Sequence, residues 1–425
     1  MSFNGLHAKI GRLSLVCAVL CLLLVFLPGC GETVPTPDLV TITFAHLAFD
    51  TAHYERLAQD FNESHPYITV ELRAKQPREW MRSGDLSVDD VDVFVAQDSA
   101  LAWLLEQESI LNLDPFIEQD GSFELPDFYP RMVENLTNGG KTWAVPAGID
   151  FLVMFYNQDL FDRYDVPYPE VGWTWDDFLN IVLALHDPEA NIFGYAPSSD
   201  LSDAVPFIYQ HGGRVADDLQ HPTRTTFDDP LTIEALEWYA KLILEYDAVP
   251  TPAEARRAFG GSGYYIGRAF LRGQLGMWAG SFSERGGRYY SSTEWDLRWG
   301  MVPLPRDKQS ATIASVEGYY ISSQAQHPDA CWQWIAFASG QVPDRLIPTR
   351  RSLVEATAYE QQVGSDVAAV VLESLGGELL LFPTDLPEEA EAASGIFLKA
   401  MEEIVSGRAS PEDALKWAQQ QSSFR

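Results

Sequence analysis

The chain is poor in cysteine, with four in 425 residues. Two of them, Cys17 and Cys21, lie in an apolar amino-terminal run, and Cys30 follows that run. Only Cys331 is left for the rest of the chain, so an internal disulfide is excluded there. A chain of this length can bury enough surface to fold without one. On its predicted helix, Cys331 is expected to be a small buried side chain rather than a nucleophile.

Basic residues are also scarce, since 29 lysines and arginines face 61 acidic residues and the net charge is −32. Such a surface repels the phosphates of nucleic acids and anionic lipids, so we expect no nucleic-acid partner. The hydrophobic content of 46% excludes an intrinsically disordered chain. Diffuse acidity of this kind favours solubility more than the capture of a cation.

The common catalytic and metal-binding motifs are absent from the sequence. It contains neither Gly-x-Ser-x-Gly nor a lysine three residues after a serine. Its eight histidines are scattered, without a His-x-x-x-His pair, so we predict no metal site and no cofactor. Asp176 and Asp177 follow Thr174 and are expected to begin a helix rather than form a catalytic dyad. We therefore predict a protein that is not an enzyme, with an exported glycoside hydrolase or esterase as the alternative.

The amino terminus has the pattern of an export signal. Lys9 and Arg12 precede the fifteen-residue apolar run 13–27, which is short for a membrane span but suits a signal-peptide core. The segment Leu27-Pro28-Gly29-Cys30 resembles a bacterial lipobox, which implies that Cys30 is acylated and becomes the first residue of the mature protein. A transmembrane anchor ending by chance in cysteine is the alternative.

We accordingly assign residues 1–29 to a lipoprotein signal peptide and residues 30–38 to a lipid-anchored tether. Pro35 and Pro37 favour an extended conformation in that tether. The protein is then expected outside the cytoplasm, anchored to the outer face of the bacterial cytoplasmic membrane, or in the periplasm.

After the tether, strand and helix patterns alternate, which is typical of a parallel α/β sheet. Ligands of such sheets bind at the carboxyl ends of the strands. The polar residues predicted at those ends are His46, Gln97 and Asp98. The predicted elements are strand 40–45, helix 51–64, strand 68–72 and strand 92–96.

The most informative stretch is an almost continuous apolar run from Trp143 to Phe155. Because proline cannot donate to a sheet ladder, we predict two short strands that meet at Pro146-Ala147-Gly148, where the chain passes from one lobe to another. Asp150 stands just beyond this crossing among apolar residues. It is the residue we expect most strongly to bind a ligand.

This stretch resembles the hinge of the family 1 extracellular solute-binding proteins of ABC importers, the group that includes maltose-binding protein. The resemblance extends loosely from about residue 39 to the end of the chain. It is carried by Gly140-Lys141, by the apolar strand ending at Pro146, by Tyr156-Asn157-Gln158-Asp159-Leu160 and by Thr174-Trp175-Asp176.

The resemblance implies an α/β fold with two lobes, the type II periplasmic-binding-protein fold, with three hinge crossings. It places residues 39–147 and 304–342 in the amino-terminal lobe. Residues 148–303 and 343–425 would form the carboxyl-terminal lobe.

Further candidate ligand residues come from the same resemblance. After Gly273 to Met277, the segment Gly280-Ser281-Phe282 places phenylalanine where the family usually has a sugar-stacking tryptophan, so both Trp278 and Phe282 are candidates. The segment 299–305 resembles the second crossing between lobes. Later candidates are Glu317 and Tyr319 in the return to the first lobe and Arg350 in a late proline-x-arginine loop.

The family implies a monomer that captures a carbohydrate or related polar solute between its lobes and delivers it to an ABC permease. Core positions are the alternative for the candidate aromatic residues, and a buried structural carboxylate is the alternative for Asp150. A ligand sensor that signals to a membrane kinase would have the same fold.

Overall fold

The computed structural model describes residues 38–76, 88, 90–198, 201–260, 265–287, 294–382 and 388–424. Cys30, the predicted signal peptide and nearly all of the predicted tether lie outside these residues. None of the helices described here is long and apolar enough to cross a membrane.

Most of the described strands belong to one mixed sheet with the order β2-β1-β3-β10-β6-β8-β7, while β9 joins β6 and β11 joins β10. A separate small hairpin is made of β4 and β5. The strands are β1 Val40–Leu47, β2 Ile68–Lys75, β3 Val93–Gln97, β4 Thr137–Asn138, β5 Lys141–Thr142, β6 Val145–Asn157, β7 Phe193–Tyr195, β8 Leu275–Ser281, β9 Trp299–Val302, β10 Ala311–Ile321 and β11 Glu378–Leu381.

Helices surround this sheet, and the predicted helix Thr51–Ser64 is among the longest of them. The helices are α1 Thr51–Ser64, α2 Leu101–Glu106, α3 Asp114–Gln119, α4 Pro130–Glu134, α5 Gln158–Arg163, α6 Trp175–Leu185, α7 Val205–Gln210, α8 Pro230–Leu244, α9 Pro252–Phe259, α10 Tyr265–Leu271, α11 Pro328–Ala338, α12 Arg351–Val354, α13 Thr357–Val363, α14 Ser365–Gly376, α15 Glu388–Val405 and α16 Pro411–Gln421.

The first part of the sheet is parallel, as the sequence predicts. Strand β1 pairs with both β2 and β3 in parallel, and α1 packs beside them through Tyr54, Leu57 and Phe61. The buried Cys331 of α11 belongs to the same core, where burial raises the pKa of its thiol. This confirms that Cys331 is a buried apolar residue.

The prediction of two short strands around Pro146 is wrong, because Val145–Asn157 is a single strand. Pro146 lies opposite Gly318 of β10, and the register between β6 and β10 shifts there, so that Gly148 faces Glu317. Such a bulge leaves one residue without a partner in the regular ladder. Because the hydrogen-bond pattern is interrupted at a bulge, a proline, which has no N–H group, is tolerated there.

Both β6 and β10 change partners along their length. The first half of β6 pairs with β10 through residues 145–151, and the second half pairs with β8 and β9. Strand β10 begins against β11 and ends against β3. These two long strands therefore join one part of the sheet to the other, with Asp150 and its register partner Ser315 near the change of partner.

A third connection runs beside β6. Ile149 and Ile347 exchange two backbone hydrogen bonds of 3.0 Å, and the Thr349 hydroxyl donates to the carbonyl of Pro146 at 3.0 Å. The side chain of Leu346 packs against Gly148. Residues 344–347, which we call the third connection, are thus fixed against the middle of the sheet.

Among the described residues, the buried apolar side chains form three clusters. One cluster lies at each end of the sheet, and the third lies along the centre of β6. The central cluster contains Phe94, Phe151 and Phe282, so it joins residues from β3, β6 and the segment after β8.

Thr174 and Asp177 form a reciprocal capping box at the start of α6. This confirms that the acidic residues there begin a helix.

Replacing Gly148 or Gly395 by alanine should change the unfolding free energy in opposite directions. A Cβ atom at Gly148 would stand 2.7 Å from the Cβ atom of Leu346, so Gly148→Ala overpacks the third connection and should cost about 1–3 kcal/mol of unfolding free energy. Gly395 is exposed within α15 with no neighbour within 4 Å, so Gly395→Ala should gain about 0.5–1 kcal/mol. Urea unfolding measures both, and equal stabilities for the two variants would contradict this packing.

Candidate functional site

A buried arginine lies where the three connections meet. The Arg345 Nη2 atom lies 3.0 Å from Asp50 Oδ2 and 2.6 Å from Glu317 Oε1, and its Nε atom donates to Asp50 Oδ1 at 3.1 Å. The side chains of all three residues are no more than one-tenth exposed. Arg345 comes from the third connection, Asp50 from the turn after β1, and Glu317 from β10, so one guanidinium joins three separate segments.

The positive charge of Arg345 acts on the ionisation of its partner Glu317. Burial raises the pKa of Glu317, and the positive charge of Arg345 opposes that rise. The guanidinium also lies over the ring of Phe49, 4.7 Å from its centroid. Removing one partner of a buried pair leaves an uncompensated charge, so the three charged groups are expected to be strongly interdependent.

Asp150 binds a neighbouring segment rather than the arginine. Its Oδ2 accepts a 2.6 Å hydrogen bond from the Ser283 hydroxyl, and its Oδ1 accepts from the backbone N–H groups of Ser283 at 3.1 Å and Phe151 at 3.0 Å. The residue is half-buried, and burial of its carboxylate raises its pKa, against the influence of Ser283 and Arg345. Asp150 therefore fixes the segment after β8 against the middle of β6.

A second arginine reaches the third connection from that same segment. Arg285 Nη1 lies 2.6 Å from the carbonyl oxygen of Arg345, and Nη2 lies 3.0 Å from that of Asp344. The Arg285 guanidinium also covers the ring of Phe282 at 4.0 Å from its centroid. Phe282 itself has no exposed surface.

The carboxylate of Asp98 is buried and has several donors around it. Its Oδ2 accepts from Asn135 Nδ2 at 2.5 Å and from the Val316 N–H at 3.0 Å, and its Oδ1 accepts from the Ser99 N–H at 2.8 Å. Burial nevertheless raises its pKa to about 6. These bonds tie β10 to the end of β3 and to the residue after α4.

Gln97 and Tyr319 are placed by the same pair of strands. Gln97 is half-buried and stands opposite Glu317 in the register of β3 and β10, so it lies beside the arginine network. Tyr319 is buried two residues further along β10, with its hydroxyl 3.5 Å from that of Tyr54.

His46 is the penultimate residue of β1, and its side chain is fully buried. Its Nδ1 donates to the carbonyl of Leu47 at 2.9 Å, and burial lowers the pKa of the ring. Since Nδ1 carries the proton, Nε2 is a hydrogen-bond acceptor. This buried Nε2 has no hydrogen-bond partner among the described residues.

Two of the candidate residues lie apart from this network. Trp278 is buried among other aromatic rings, including those of Phe155 and Trp295 at 5.5 and 6.0 Å. Arg350 donates from Nε to the carbonyl of Ser339 at 3.1 Å and lies over the ring of Phe128 at 4.5 Å.

The structure thus brings Asp150, Glu317, Gln97 and Phe282 close to the three connections, and it adds residues that the sequence analysis missed. The additional residues are Phe49, Asp50, Ser283, Arg285 and Arg345. Asp50 follows the end of a predicted strand by only a few residues, and Arg345 lies two residues after position 343, where the predicted carboxyl-terminal lobe resumes. The sequence positions of these two residues therefore indicated the site. The contacts of Ser283 and Arg285 depend on tertiary folding and had no comparable signal.

The chemistry of this region is that of polar recognition. Carboxylates, guanidinium groups, an amide and aromatic faces can bind hydroxyl groups and the C–H faces of sugars. No group of three His, Cys, Asp or Glu side chains in the described part of the chain is arranged to hold a metal ion.

Comparison with known proteins shows the family to which the chain is related. Residues 50–341, more than half of the chain, match the family model described as bacterial extracellular solute-binding protein. Solved structures with the same fold include sugar-binding proteins of several bacteria.

One is an ABC substrate-binding protein of Listeria monocytogenes in complex with cycloalternan, with a TM-score of 0.70, 20% identity, and coverage of 90% of this chain and 98% of that one. The cyclic α-maltosyl-1,6-maltose binding protein of Arthrobacter globiformis has a TM-score of 0.71 at 18% identity, covering 90% and 98%. Maltose-bound MalE3 of T. maritima has a TM-score of 0.63 at 18% identity, covering 91% and 99%. These two-lobed proteins show that the predicted fold class is correct.

The buried Asp98 gives a prediction for the pH dependence of stability. Its pKa is about 6 in the folded chain against an ordinary 3.8, so its contribution to stability is complete below about pH 3.8 and is lost as the pH rises through about 6. Asparagine cannot titrate. The unfolding free energy of the wild type relative to Asp98→Asn should therefore fall by on the order of 3 kcal/mol between about pH 4 and about pH 7.

Denaturant unfolding at several pH values measures this difference. Ser99→Ala is the matched control, because it keeps the carboxylate and the backbone N–H that binds it, and it should follow the wild-type pH profile. A difference between wild type and Asp98→Asn that is constant with pH would show that the pKa of Asp98 is not raised.

Proposed function

Because the chain belongs to the bacterial extracellular solute-binding proteins, we propose that it captures an oligosaccharide in a cleft between two lobes and delivers it to an ABC permease. The proposal rests mainly on the sheet topology. Each of the two long strands β6 and β10 changes its pairing partner close to Asp150 and Glu317. We expect a cleft at that position to present the polar residues of both strands to a ligand.

The proposed lobes are residues 39–147 with 304–342 and residues 148–303 with 343–425. Three connections between two bodies permit a hinge rotation with small changes in the backbone. A ligand that contacts both lobes only in the closed form stabilises that form, so closure is a shift of population. The closed complex is then the form that a permease recognises.

Carbohydrate is the ligand class best supported for this chain. The fold is shared with proteins whose structures contain cycloalternan and maltose. In the chain itself, Glu317, Gln97 and Asp150 can accept or donate hydrogen bonds to sugar hydroxyls. The Nε2 atom of His46 is a further acceptor for a hydroxyl group.

Binding without chemical change separates this proposal from the enzyme alternative. We expect isothermal titration calorimetry to detect binding of at least one of maltose, cycloalternan and cyclic α-maltosyl-1,6-maltose. Chromatography of the same mixtures should recover the sugar intact, because none of the common hydrolase motifs occurs in the sequence. A new product would favour the hydrolase, and no heat with any of the three sugars would count against the ligand class.

A pair of variants tests whether the binding occurs at the proposed cleft. Hydrogen bonds to a carboxylate contribute enough free energy to change affinity tenfold or more. Asp150→Ala removes such a carboxylate, so binding should weaken by about that factor. Asp176→Ala, which removes an exposed carboxylate at the start of α6, should leave the affinity unchanged. Equal affinities for both variants would place the sugar elsewhere.

We also propose that Cys30 carries a lipid that anchors the protein outside the cytoplasm. In cells grown with a labelled fatty acid, the wild-type protein should be labelled and membrane-bound. Cys30→Ser should lose the label and appear in the soluble fraction, whereas Cys331→Ser should behave as the wild type since Cys331 is buried. Retention of unlabelled Cys30→Ser in the membrane would favour a transmembrane anchor instead.

A further inference from the structure

We infer that residues 303–310, the second connection, move with the carboxyl-terminal lobe, so that strand β10 bends at Ser315 within its own length and not in the loop before it. This inference rests on the proposed function, because it concerns where the two lobes turn about each other. It moves the boundary implied by the family resemblance from residue 304 to Ser315.

The first half of the second connection is hydrogen-bonded to the residues at the start of α6. The Arg306 N–H group donates to the carbonyl of Trp173 at 3.0 Å, and the Trp175 N–H group donates to the carbonyl of Arg306 at 3.0 Å. The indole Nε1 of the buried Trp173 donates to the carbonyl of Pro303 at 2.8 Å. These bonds join the connection to an element of the proposed carboxyl-terminal lobe.

A buried glutamine at the end of α7 fixes the second half of the connection. Gln210 has no exposed surface, and its side-chain amide donates to the carbonyl of Ala311 at 3.0 Å while accepting from Trp175 Nε1 at 2.8 Å. The Gln309 N–H group donates to the carbonyl of Gln210 at 3.1 Å, and the Gln309 side chain donates to that of Tyr209 at 2.9 Å. Separating the connection from α7 would leave buried polar groups without partners, which is costly.

Charged side chains join the same segments at the surface. His211 Nδ1 lies 2.5 Å from Asp307 Oδ2, and His211 Nε2 lies 3.0 Å from Glu234 Oε2 in α8. The Lys308 Nζ atom lies 3.2 Å from the same Nε2 atom. Because exposed ion pairs contribute little free energy, the buried bonds of Gln210 provide most of the attachment.

Before Ser315, strand β10 continues this attachment. Residues 311–314 pair in parallel with β11, which belongs to the proposed carboxyl-terminal lobe. The Thr312 hydroxyl donates to the carbonyl of Leu152 at 2.7 Å, in the part of β6 that pairs with β8. The first residues of β10 are therefore expected to move with the second connection.

After Ser315, strand β10 is attached to the proposed amino-terminal lobe. The Val316 N–H group donates to Asp98 Oδ2 at 3.0 Å, and residues 317–321 pair with β3. The register shift against β6 lies in this part of the strand, and an interrupted ladder bends more easily than a regular one. Ser315 is the register partner of Asp150, so a ligand that binds Asp150 acts beside the axis of rotation.

Amide hydrogen exchange of the full chain without ligand tests the attachment. Gln210→Ala removes the buried amide, so peptides covering residues 303–311 should exchange about tenfold faster relative to peptides from β3. Gln309→Ala changes a half-buried position and should give a smaller increase in the same peptides, which keeps the test available if Gln210→Ala does not fold. Gln341→Ala is the matched control, since that amide donates to Phe337 after α11. Unchanged exchange in the first two variants overturns the inference.

Distances between spin labels in the full chain test the movement itself. The labels occupy pairs of three exposed positions, Lys308 in the second connection, Glu237 in α8 and Asp60 in α1, through an encoded ketone amino acid that leaves the native cysteines unmodified. Double electron–electron resonance is recorded with and without maltose, cycloalternan or cyclic α-maltosyl-1,6-maltose. A bound sugar should change the distances from position 60 to both other labels and leave the distance between positions 308 and 237 constant.

The outcomes separate this inference from the proposed function. If a sugar changes the distance between positions 60 and 237 while position 308 keeps its distance to position 60, closure stands and the bend at Ser315 is disproved. If no sugar changes the distance between positions 60 and 237, the proposed closure fails, and the exchange experiment alone decides whether the carboxyl-terminal lobe holds the second connection. Faster exchange together with a constant distance between positions 308 and 237 during closure supports both.

Discussion

The buried guanidinium of Arg345 is the contact on which the centre of the molecule depends. Its two carboxylate partners, Asp50 and Glu317, come from the turn after β1 and from β10, while Arg345 comes from the third connection. Charges removed from water need such partners, because an unpaired buried charge costs several kcal/mol. The requirement for mutual neutralisation therefore fixes three segments at the place where β6 and β10 change partners. The polar site follows from this constraint.

Much of the fold could be predicted because local signals agreed with it. The spacing of apolar residues in Thr51–Ser64 predicted its helix, and the acidic residues after Thr174 predicted the start of α6. Pro146 led to the wrong prediction of two strands, because its missing N–H group excludes a regular ladder but not a bulge. That bulge depends on Gly318, which lies far away in sequence and carries no signal of its pairing with Pro146.

The site was predictable only where a residue's place in the topology determined its role. Gln97 and Glu317 stand at strand positions that meet across the sheet, and Asp150 lies where the strand changes partner. The roles of Ser283, Arg285 and Arg345 depend on side-chain contacts between distant segments. Ligand identity depends on finer distances still, because carboxylates, amides and aromatic rings bind many polar solutes.

We propose that the two lobes close on a sugar beside Asp150, and this closure can be observed in solution. Small-angle X-ray scattering of the full chain, with and without a saturating amount of whichever sugar binds, tests it most directly. If the lobes close, the sugar reduces the radius of gyration of the wild type, and Asp150→Ala needs a higher sugar concentration for the same contraction. Scattering profiles that stay identical with a bound sugar would contradict closure.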